Sequence, residues 1–346
     1  VPYTWSPRFN PWFLEPAPEK PCVFVWSGSA SVTITLSIYP SLSWLVEDSV
    51  KLKYAVVVVA WKVPVNICHW ATVPIGGDSK YWFPSIPDVP NLIVKESCVT
   101  QSLAETEYFL PTTACILQSK LELGLNVGAF DYNLGCSGYI YGLSMAKSFI
   151  QSGLASNVLL VTAESYSKFL HKEDITNRAI FGDAATATVI GYELAKKIGE
   201  FNLGSDGSGA ENLIFKEGGG RSNFSITGLK EQMFHMNGSA VFQFTLDNVP
   251  NSVHDCLNKN NLKLEDVDYF ILHQANKYML GNLRRKLGVD EDKFYIDVEY
   301  VGNTVSSTIP IALSQSVKRG LIKKGDCVLL CGFGVGYSWG STVIKF

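Results

Sequence analysis

The chain has 346 residues, of which 47% are hydrophobic, so it can form one large or two medium folded units with a buried core. Its formal charge of −3 at pH 7 gives no overall basic surface, which argues against nucleic acid as a partner. No apolar run approaches the roughly 18 residues of a membrane span, and the first residues lack the pattern of a signal peptide, so we expect a cytoplasmic protein with no membrane partner.

The first 98 residues differ in composition from the rest of the chain. Seven of the eight tryptophans and twelve of the fifteen prolines lie before residue 91. Residues 54–60 have the β-branched character of a strand, whereas the prolines leave little room for a long helix. This stretch therefore does not follow the order of elements that the remainder predicts.

From about residue 99 onward, short β-branched runs alternate with helical stretches. The predicted strands are residues 157–163, 186–190, 267–272, 327–330 and 341–345. The predicted helices are residues 239–259 and 276–287. Because the strands are continuously apolar, we expect sheets that are covered by helices on both faces.

Two stretches of this region look like copies of each other. Cys136 and Asn303 each precede a helix-like run that ends at a Gly-Leu pair, beginning at Gly153 and Gly320. The spacing is 17 residues in both copies, and the offset between them is a constant 167. We interpret this as a duplication that gives two α/β halves, residues 1–195 and 196–346, each of which contributes a helix start to one central site.

Cys136 is the candidate nucleophile. A thiol reacts as the thiolate, and a helix N-terminus lowers a thiol pKa through its dipole and its free backbone N–H groups. Gly135 and Gly138 permit a sharp entry into the helix and leave room for a substrate. The other seven cysteines form no CxxC pair or ligand spacing, so the sequence predicts neither a disulfide framework nor a metal site.

Three further segments carry chemistry. His273 follows the predicted strand 267–272, at the end of a strand where open α/β folds place their ligands. Asn303 begins the second copy of the repeat, although an asparagine there is also an ordinary helix N-cap. The glycine-rich segment 331–337 can direct backbone N–H groups at a developing oxyanion, or it can be a tight turn between adjacent strands.

Together these elements resemble the β-ketoacyl-acyl carrier protein synthase III family of the thiolase superfamily. The resemblance runs from about residue 99 to 346 and rests on five segments in order: 133–138, 178–185, 273–276, 302–304 and 334–341. It implies an α/β, thiolase-like fold of two duplicated halves, with mixed five-stranded sheets in a layered α-β-α-β-α arrangement.

The resemblance also implies an activity that needs no cofactor. Cys136 would take an acyl group from acyl-CoA, and His273 and Asn303 would hold the thioester carbonyl of malonyl-acyl carrier protein while it loses CO2. The resulting carbanion would attack the acyl-cysteine, whose oxyanion would be held by the backbone N–H groups of Cys136 and Val335. Two neutral donors that converge on an enolate oxygen stabilise charge that develops only in the transition state.

Residues for substrates and partners are implied in the same way. Phe109 matches the residue that closes the acyl pocket of the partner subunit, which implies a homodimer. Arg178 would pack on the adenine of CoA, and the substrate channel would involve Asn237, Gly238, Asn276 and Phe333. Acyl carrier protein would dock on a basic helix that carries Lys277, Arg284, Arg285 and Lys286, although such a charge run is also typical of a solvated helix face.

Three alternatives remain open at this stage. A papain-like cysteine hydrolase also has a Cys followed about 140 residues later by a His, but the segment around Cys136 lacks the tryptophan of that family. A thiolase would use a second cysteine, for which Cys331 is a candidate, yet thiolases carry a Gly-His-Pro segment where this chain has Gly302-Asn303-Thr304. The third alternative is a paralogue without catalytic activity, for which the complete Cys, His and Asn set has no chemical purpose.

Overall fold

A computed structural model of the chain describes residues 22–28, 31–37, 96–102, 110–216 and 234–346, the first three ranges by their backbone only. The strand predicted at 54–60 and Phe109 both lie outside the described residues. In the part that is described, no helix is long and apolar enough to cross a membrane.

The first half forms a mixed sheet. The strand order in this sheet is β4-β3-β5-β6, with β3 parallel to both of its neighbours and β6 antiparallel to β5. A separate antiparallel hairpin, β1 and β2, precedes these strands in the chain. Its strands and helices are β1 (Cys22–Gly28), β2 (Ser31–Ser37), β3 (Glu96–Ser102), α1 (Thr113–Lys120), β4 (Val127–Tyr132), α2 (Gly138–Gln151), β5 (Asn157–Glu164), α3 (Ile175–Arg178), β6 (Ala184–Gly191) and α4 (Tyr192–Lys197).

The second half forms a similar sheet with the order β10-β11-β12-β7, in which β10 and β11 are parallel and the other pairs are antiparallel. A short antiparallel pair, β8 and β9, lies between β7 and α5 along the chain. The elements are β7 (Asn202–Ser205), β8 (Leu213–Phe215), β9 (Phe234–Met236), α5 (Gly238–Lys259), β10 (Tyr269–Leu272), α6 (Lys277–Leu287), α7 (Thr308–Lys318), β11 (Cys327–Gly334) and β12 (Ser338–Lys345).

The layers follow from the alternation of side chains along the strands. On β11, Val328 and Leu330 pack in one buried cluster with Ile140 of α2 and Ile309 of α7. Leu329, Cys331 and Phe333 belong to another, which contains residues of α5 and α6. Because successive side chains of a strand point to opposite faces, the second sheet lies between the α2/α7 layer and the α5/α6 layer. The first sheet packs on α1 and α2, which completes the predicted α-β-α-β-α arrangement.

The strand count differs from the expectation of five per sheet. Among the described residues, each of the two sheets has four hydrogen-bonded strands. The backbone of β2 lies alongside β6, at the edge of the first sheet, in the position of a fifth strand. Residues 31–37 therefore contribute to the first half at this edge.

The duplication is visible in the two helices of the central layer. Ser137 is the N-cap of α2, and Thr304 is the N-cap of the single 3-10 turn, Val305–Ser307, that leads into α7. Both helices end at a left-handed glycine, Gly153 with φ 73° and Gly320 with φ 69°. The two N-caps are separated by 167 residues, and so are the two glycines, as the repeat predicts. The predicted boundary between residues 195 and 196 lies within α4, and the division at that point stays a prediction.

Candidate active site

Cys136 lies in the turn that connects β4 to α2. The turn is closed by a 2.7 Å hydrogen bond from the Gly138 N–H to the Gly135 carbonyl, and the Tyr132 hydroxyl donates to the Gly138 carbonyl at 2.8 Å. The thiol is thus placed two residues before the first residue of a buried helix. Its side chain is only 5% exposed.

The hairpin that joins β11 to β12 covers the thiol from the second half. A Cβ atom on Gly334 would lie 2.7 Å from the sulfur of Cys136, and one on Gly332 would lie 2.8 Å from the Cys136 carbonyl oxygen. Only glycine permits this approach. The segment 331–337 is therefore the end of β11 and the tight turn that leads to β12, and the Val335 N–H of this turn forms a hydrogen bond with the Cys136 sulfur.

His273 follows directly after β10. Its backbone N–H donates to the Cys331 carbonyl at 2.8 Å, and the adjacent Gln274 side chain bonds the backbone at Leu272 and Asp297. The imidazole packs edge-on against Phe333, with ring centroids 5.4 Å apart. Its Nδ1 lies 2.7 Å from the hydroxyl oxygen of Thr308. Since Nδ1 is occupied, Nε2 is the ring nitrogen that is available to the site.

Asn303 belongs to the second half but is held by the first. Its N–H donates to the Ile180 carbonyl at 2.8 Å, and its carbonyl accepts from the Gly182 N–H at 3.0 Å. The side-chain oxygen accepts from the Val305 N–H at 2.9 Å. This bond assigns the orientation of the amide, so its NH2 group is the donor that is available to the site.

Val305 has a backbone conformation that is rare for a β-branched residue. Its φ is 54°, a left-handed value that costs a residue of this type on the order of 1–3 kcal/mol. The side chain is fully buried. In this conformation its N–H bonds the Asn303 side chain, and its carbonyl accepts from the Thr308 hydroxyl at 2.9 Å. Val305 therefore bonds the Asn303 side chain directly and is connected to the His273 ring through the Thr308 hydroxyl.

The three predicted catalytic side chains line one cavity, which encloses about 510 Å³ of space not occupied by protein atoms, part of it open to solvent. Aromatic rings form the wall beside Cys136, with Tyr166 stacked on Phe181 at 5.0 Å and both packed against Phe234. The rest of the lining is largely apolar. Such a surface suits an apolar acyl chain better than a polar ligand.

The protonation state of Cys136 differs from the expectation. Burial, which desolvates the charged form, and to a lesser degree the carboxylate of Glu164 raise the pKa of the thiol to about 12. Backbone hydrogen bonds from Val335 and from Cys136 itself act in the opposite direction but do not offset burial. The expectation that the helix start lowers the pKa was wrong, since it neglected how fully the hairpin covers the sulfur.

Burial acts on His273 in the complementary direction. It lowers the pKa of the imidazole to about 3, and the carbonyl of Val305 opposes this by favouring the protonated ring. At neutral pH the resting site therefore contains a neutral thiol and a neutral imidazole. A neutral imidazole fits the predicted hydrogen-bond donor to an enolate oxygen.

The residues predicted to contact CoA fall into two groups. Asn276 and Phe333 line the cavity. Asn237 is the N-cap of α5, where it accepts from the Ala240 N–H, and Gly238 begins that helix. Arg178 is exposed on α3, outside the residues that line the cavity. Asn276 is also an N-cap, of α6, and accepts from the Met279 N–H at 2.8 Å.

The four basic residues of α6 are not equivalent. Lys277, Arg285 and Lys286 are exposed, whereas Arg284 donates to the Val289 carbonyl and lies 3.7 Å from a carboxylate oxygen of Glu291. At 100° per residue, Lys277 and Lys286 project from opposite flanks of the helix. Only Lys277, next to Asn276, is at the cavity end of α6.

Sequence reasoning did not identify several residues of the site. Glu164 ends β5 as a buried carboxylate that accepts from the Ser306 hydroxyl at 2.6 Å. Ser307 bonds the Thr162 hydroxyl at 2.9 Å, and Thr308 bonds His273. The run of six polar or β-branched residues at 303–308 is the signal that could have indicated them. The alternative nucleophile Cys331 is fully buried on β11 and does not line the cavity.

Comparisons with known proteins agree with this arrangement. A family model described as 3-oxoacyl-[acyl-carrier-protein (ACP)] synthase III matches residues 130–207, and its C-terminal counterpart matches residues 257–346. The chain is 37% identical over 253 residues to the β-ketoacyl-[acyl-carrier-protein] synthase III of Clostridium tetani, covering 69% of this chain and 74% of that protein. The corresponding protein of Clostridioides difficile is 39% identical over 239 residues, covering 68% and 73%.

Solved structures give the same result. A crystal structure of 3-oxoacyl-(acyl-carrier-protein) synthase III aligns with a TM-score of 0.70 and 42% identity, covering 73% of this chain and 78% of that one. The priming β-ketosynthase of the R1128 polyketide pathway aligns with a TM-score of 0.66 and 27% identity, covering 72% and 74%. Fold and site thus define a condensing acyltransferase of the thiolase fold. Within that class, the chain belongs to the 3-oxoacyl-[acyl-carrier-protein] synthase III family.

The raised pKa of Cys136 leads to a prediction on its reactivity. Because the thiol is largely protonated, its alkylation by iodoacetamide should rise with pH through pH 7–10 without a plateau. Glu164→Gln removes a charge that raises the pKa, so the variant should react several-fold faster at pH 8. The measurement is the mass increase of the intact protein against time, with Cys136→Ala to identify the site. Ser306→Ala, which leaves the carboxylate in place, is the matched control, and slower alkylation in Glu164→Gln would contradict the assignment.

Proposed function

We propose that the enzyme starts acyl chains in fatty acid biosynthesis. An acyl group passes from acyl-CoA to Cys136, and the acyl-enzyme then condenses with malonyl-acyl carrier protein. The observation that carries the proposal is that Cys136, His273 and Asn303 line one cavity. Neither half-reaction transfers electrons to an acceptor, so the chemistry requires no redox cofactor.

In the first half-reaction, the sulfur of Cys136 attacks the carbonyl carbon of acyl-CoA. The carbon–sulfur bond to CoA breaks, and the thiol proton leaves with the CoA sulfur. The backbone N–H groups of Cys136 and Val335 would hold the oxyanion; both already form hydrogen bonds that favour negative charge on the Cys136 sulfur. The apolar wall of Tyr166 and Phe181 supports this step, because it can contact the acyl chain.

In the second half-reaction, the malonyl group loses CO2, and the electrons of the broken bond form an enolate on the thioester. The NH2 of Asn303 and Nε2 of His273 would donate to its oxygen. The enolate carbon then attacks acyl-Cys136, and the released thiolate takes up a proton from solvent. Neutral donors in a buried site are effective here, because the negative charge appears only as CO2 departs.

The alternatives find less support. A thiolase that uses Cys331 would need that sulfur in the cavity, whereas it is buried among residues that pack against α5 and α6. A papain-like hydrolase has no place for two duplicated halves. An inactive paralogue would have no need for the hydrogen bonds that orient the amide of Asn303 and the ring of His273.

Partners and location follow from the same proposal. Acyl-CoA and acyl carrier protein are the substrates. We also propose a homodimer in which Phe109 closes the acyl pocket of the partner subunit. Arg178, Asn237 and Gly238 remain proposed contacts to CoA. A cytoplasmic location is consistent with the free thiols of the described residues Cys115, Cys136, Cys256, Cys327 and Cys331.

The nucleophile can be tested by mass spectrometry of the intact protein after incubation with a panel of acyl-CoAs. The wild type should retain one acyl group, and the adduct names the preferred primer. Cys136→Ala should retain none, because no other cysteine among the described residues lines the cavity. Cys331→Ala is the matched control and should be acylated normally. An adduct that persists in Cys136→Ala would overturn the assignment.

The division of labour between the two half-reactions is testable at His273 and Asn303. Replacing either with Ala should slow condensation by roughly 10²-fold or more, the range for loss of one oxyanion donor. Acylation of Cys136 should change little, because neither side chain acts in that step. The measurements are release of labelled CO2 from malonyl-acyl carrier protein and the rate of adduct formation. Comparable losses in both would refute the division.

The carrier-protein surface is proposed to comprise the α6 cations, Lys277, Arg284, Arg285 and Lys286. Acyl carrier protein is acidic, so exposed cations beside the cavity would steer it electrostatically. Lys277 and Arg285 contribute most to this argument, because both are exposed and Lys277 lies at the cavity end of the helix. Arg284 is already engaged with Val289 and Glu291.

The docking proposal predicts a selective defect. Lys277→Glu combined with Arg285→Glu should raise the KM for malonyl-acyl carrier protein and flatten its dependence on salt, since exposed charges interact over about 8 Å at physiological ionic strength. Acylation by acyl-CoA should be nearly unchanged. Lys323→Glu combined with Lys324→Glu, two exposed lysines outside α6, is the charge-matched control. Equal loss with both substrates would make the two residues structural, and no loss with either would refute the docking role.

A further inference from the structure

Two buried serines connect the start of α2 to the turn between β11 and β12. The hydroxyl oxygens of Ser137 and Ser338 lie 2.7 Å apart, although the residues are 201 positions apart in sequence. The Ser338 hydroxyl donates to the Val335 carbonyl, also at 2.7 Å. Ser137 is 0% exposed and Ser338 is 2% exposed, so water does not compete for these hydrogen bonds.

The direction of both hydrogen bonds follows from the number of protons. A hydroxyl carries one proton, and a carbonyl oxygen can only accept, so Ser338 gives its proton to Val335. The Ser338 oxygen is then the acceptor in its contact with Ser137, which must donate. The order Ser137, Ser338, Val335 is therefore determined.

Each end of this chain of hydrogen bonds adjoins a backbone N–H that is proposed to hold the oxyanion. Ser137 directly follows Cys136, and its carbonyl accepts from the N–H groups of Ile140 and Tyr141 at 3.0 and 3.2 Å, which fixes its backbone to α2. At the other end, the Val335 N–H forms a hydrogen bond with the Cys136 sulfur. The two serines thus join the two N–H donors across the interface between the halves.

The backbone of the turn does not fix the Val335 N–H. Gly334 and Gly336 flank it with φ of 156° and 128°, values at which glycine keeps wide conformational freedom. Gly334 must stay glycine, because a Cβ atom there would lie 2.7 Å from the Cys136 sulfur. Val335 itself has far fewer allowed φ and ψ values. A hydrogen bond to its carbonyl therefore also restricts the direction of its N–H.

We infer that Ser338, supported by Ser137, is a positioning residue that holds the Val335 N–H in a fixed place relative to the Cys136 N–H. The inference rests on the proposed acyl transfer through Cys136. Donors that are oriented in advance need no reorganisation when the oxyanion develops. The steps that benefit are those with a tetrahedral oxyanion at Cys136, namely acylation and the final attack of condensation. Decarboxylation, whose proposed donors are His273 and Asn303, is not among them.

The inference predicts a defect in rate that spares decarboxylation. Ser338→Ala should slow acylation of Cys136 at saturating acyl-CoA by roughly 10- to 10²-fold, somewhat less than complete loss of an oxyanion donor. The KM for acyl-CoA should stay within two-fold. Release of labelled CO2 from malonyl-acyl carrier protein, supplied without acyl-CoA, should also stay within two-fold. Acylation is measured by the mass of the intact protein against time, with the acyl-CoA that loads the wild type fastest.

The strand β12 offers a matched control. Ser341 is 0% exposed, and its hydroxyl donates to the Ser252 carbonyl at 2.9 Å and lies 2.8 Å from the Ser252 hydroxyl. Ser341→Ala therefore breaks an equally buried pair of serines on the same strand and leaves the turn intact. It should lower the Tm about as much as Ser338→Ala does, while its rate of acylation should equal that of the wild type.

Ser137→Ala is the second variant, and it decides the question if Ser338→Ala does not fold. It leaves the bond from Ser338 to Val335 but removes the connection to α2, so acylation should slow several-fold. Normal acylation in either folded variant overturns the inference, and so does an equal fall in decarboxylation or an equal defect in Ser341→Ala. If the wild type itself forms no acyl-Cys136, the proposed function fails and the inference fails with it.

Discussion

The turn from Gly302 to Thr308 is the constraint on which the site depends. It belongs to the second half, yet its backbone pairs with Ile180 and Gly182 of the first. A Cβ atom on Gly182 would lie 2.2 Å from the Val301 carbonyl oxygen, so the two segments approach as closely as glycine allows. Hydroxyls of the turn bond Glu164 and Thr162 on β5. Because the turn is held on both sides, the strained backbone of Val305 persists and positions Asn303 and His273 together.

The same contacts determine the electrostatics of the site. Closing the two halves over Cys136 and His273 removes water, which keeps the thiol protonated and the imidazole neutral. Burial thus makes the Cys136 thiol less reactive than that of an exposed cysteine. It also strengthens every hydrogen bond to a charge that develops in the cavity.

Much of the fold was predictable from local pattern. The predicted strands and helices from residue 157 onward all occur, with α5 and α6 starting within one residue of their predicted starts, because Asn237 and Asn276 are N-caps. The offset of 167 residues identified α2 and α7 as equivalent. The direction of the Cys136 pKa was wrong, since a helix start is a local feature and burial is not. The roles of Glu164, Val305 and Thr308 depend on contacts between segments far apart in sequence, which periodicity does not reveal.

By itself, the sequence determined the layered α/β architecture and the family, and it indicated Cys136, His273 and Asn303 as candidate catalytic residues. These follow from apolar periodicity, glycine and capping signals, and motif chemistry, all of which act over a few residues. Only the tertiary structure decided that Asn303 is held by the first half, which nitrogen of His273 is available to the cavity and that both Cys136 and His273 are neutral at rest. Those properties arise where two halves meet and exclude water, and the free energy of a charge or a hydrogen bond there depends on neighbours that no local pattern specifies.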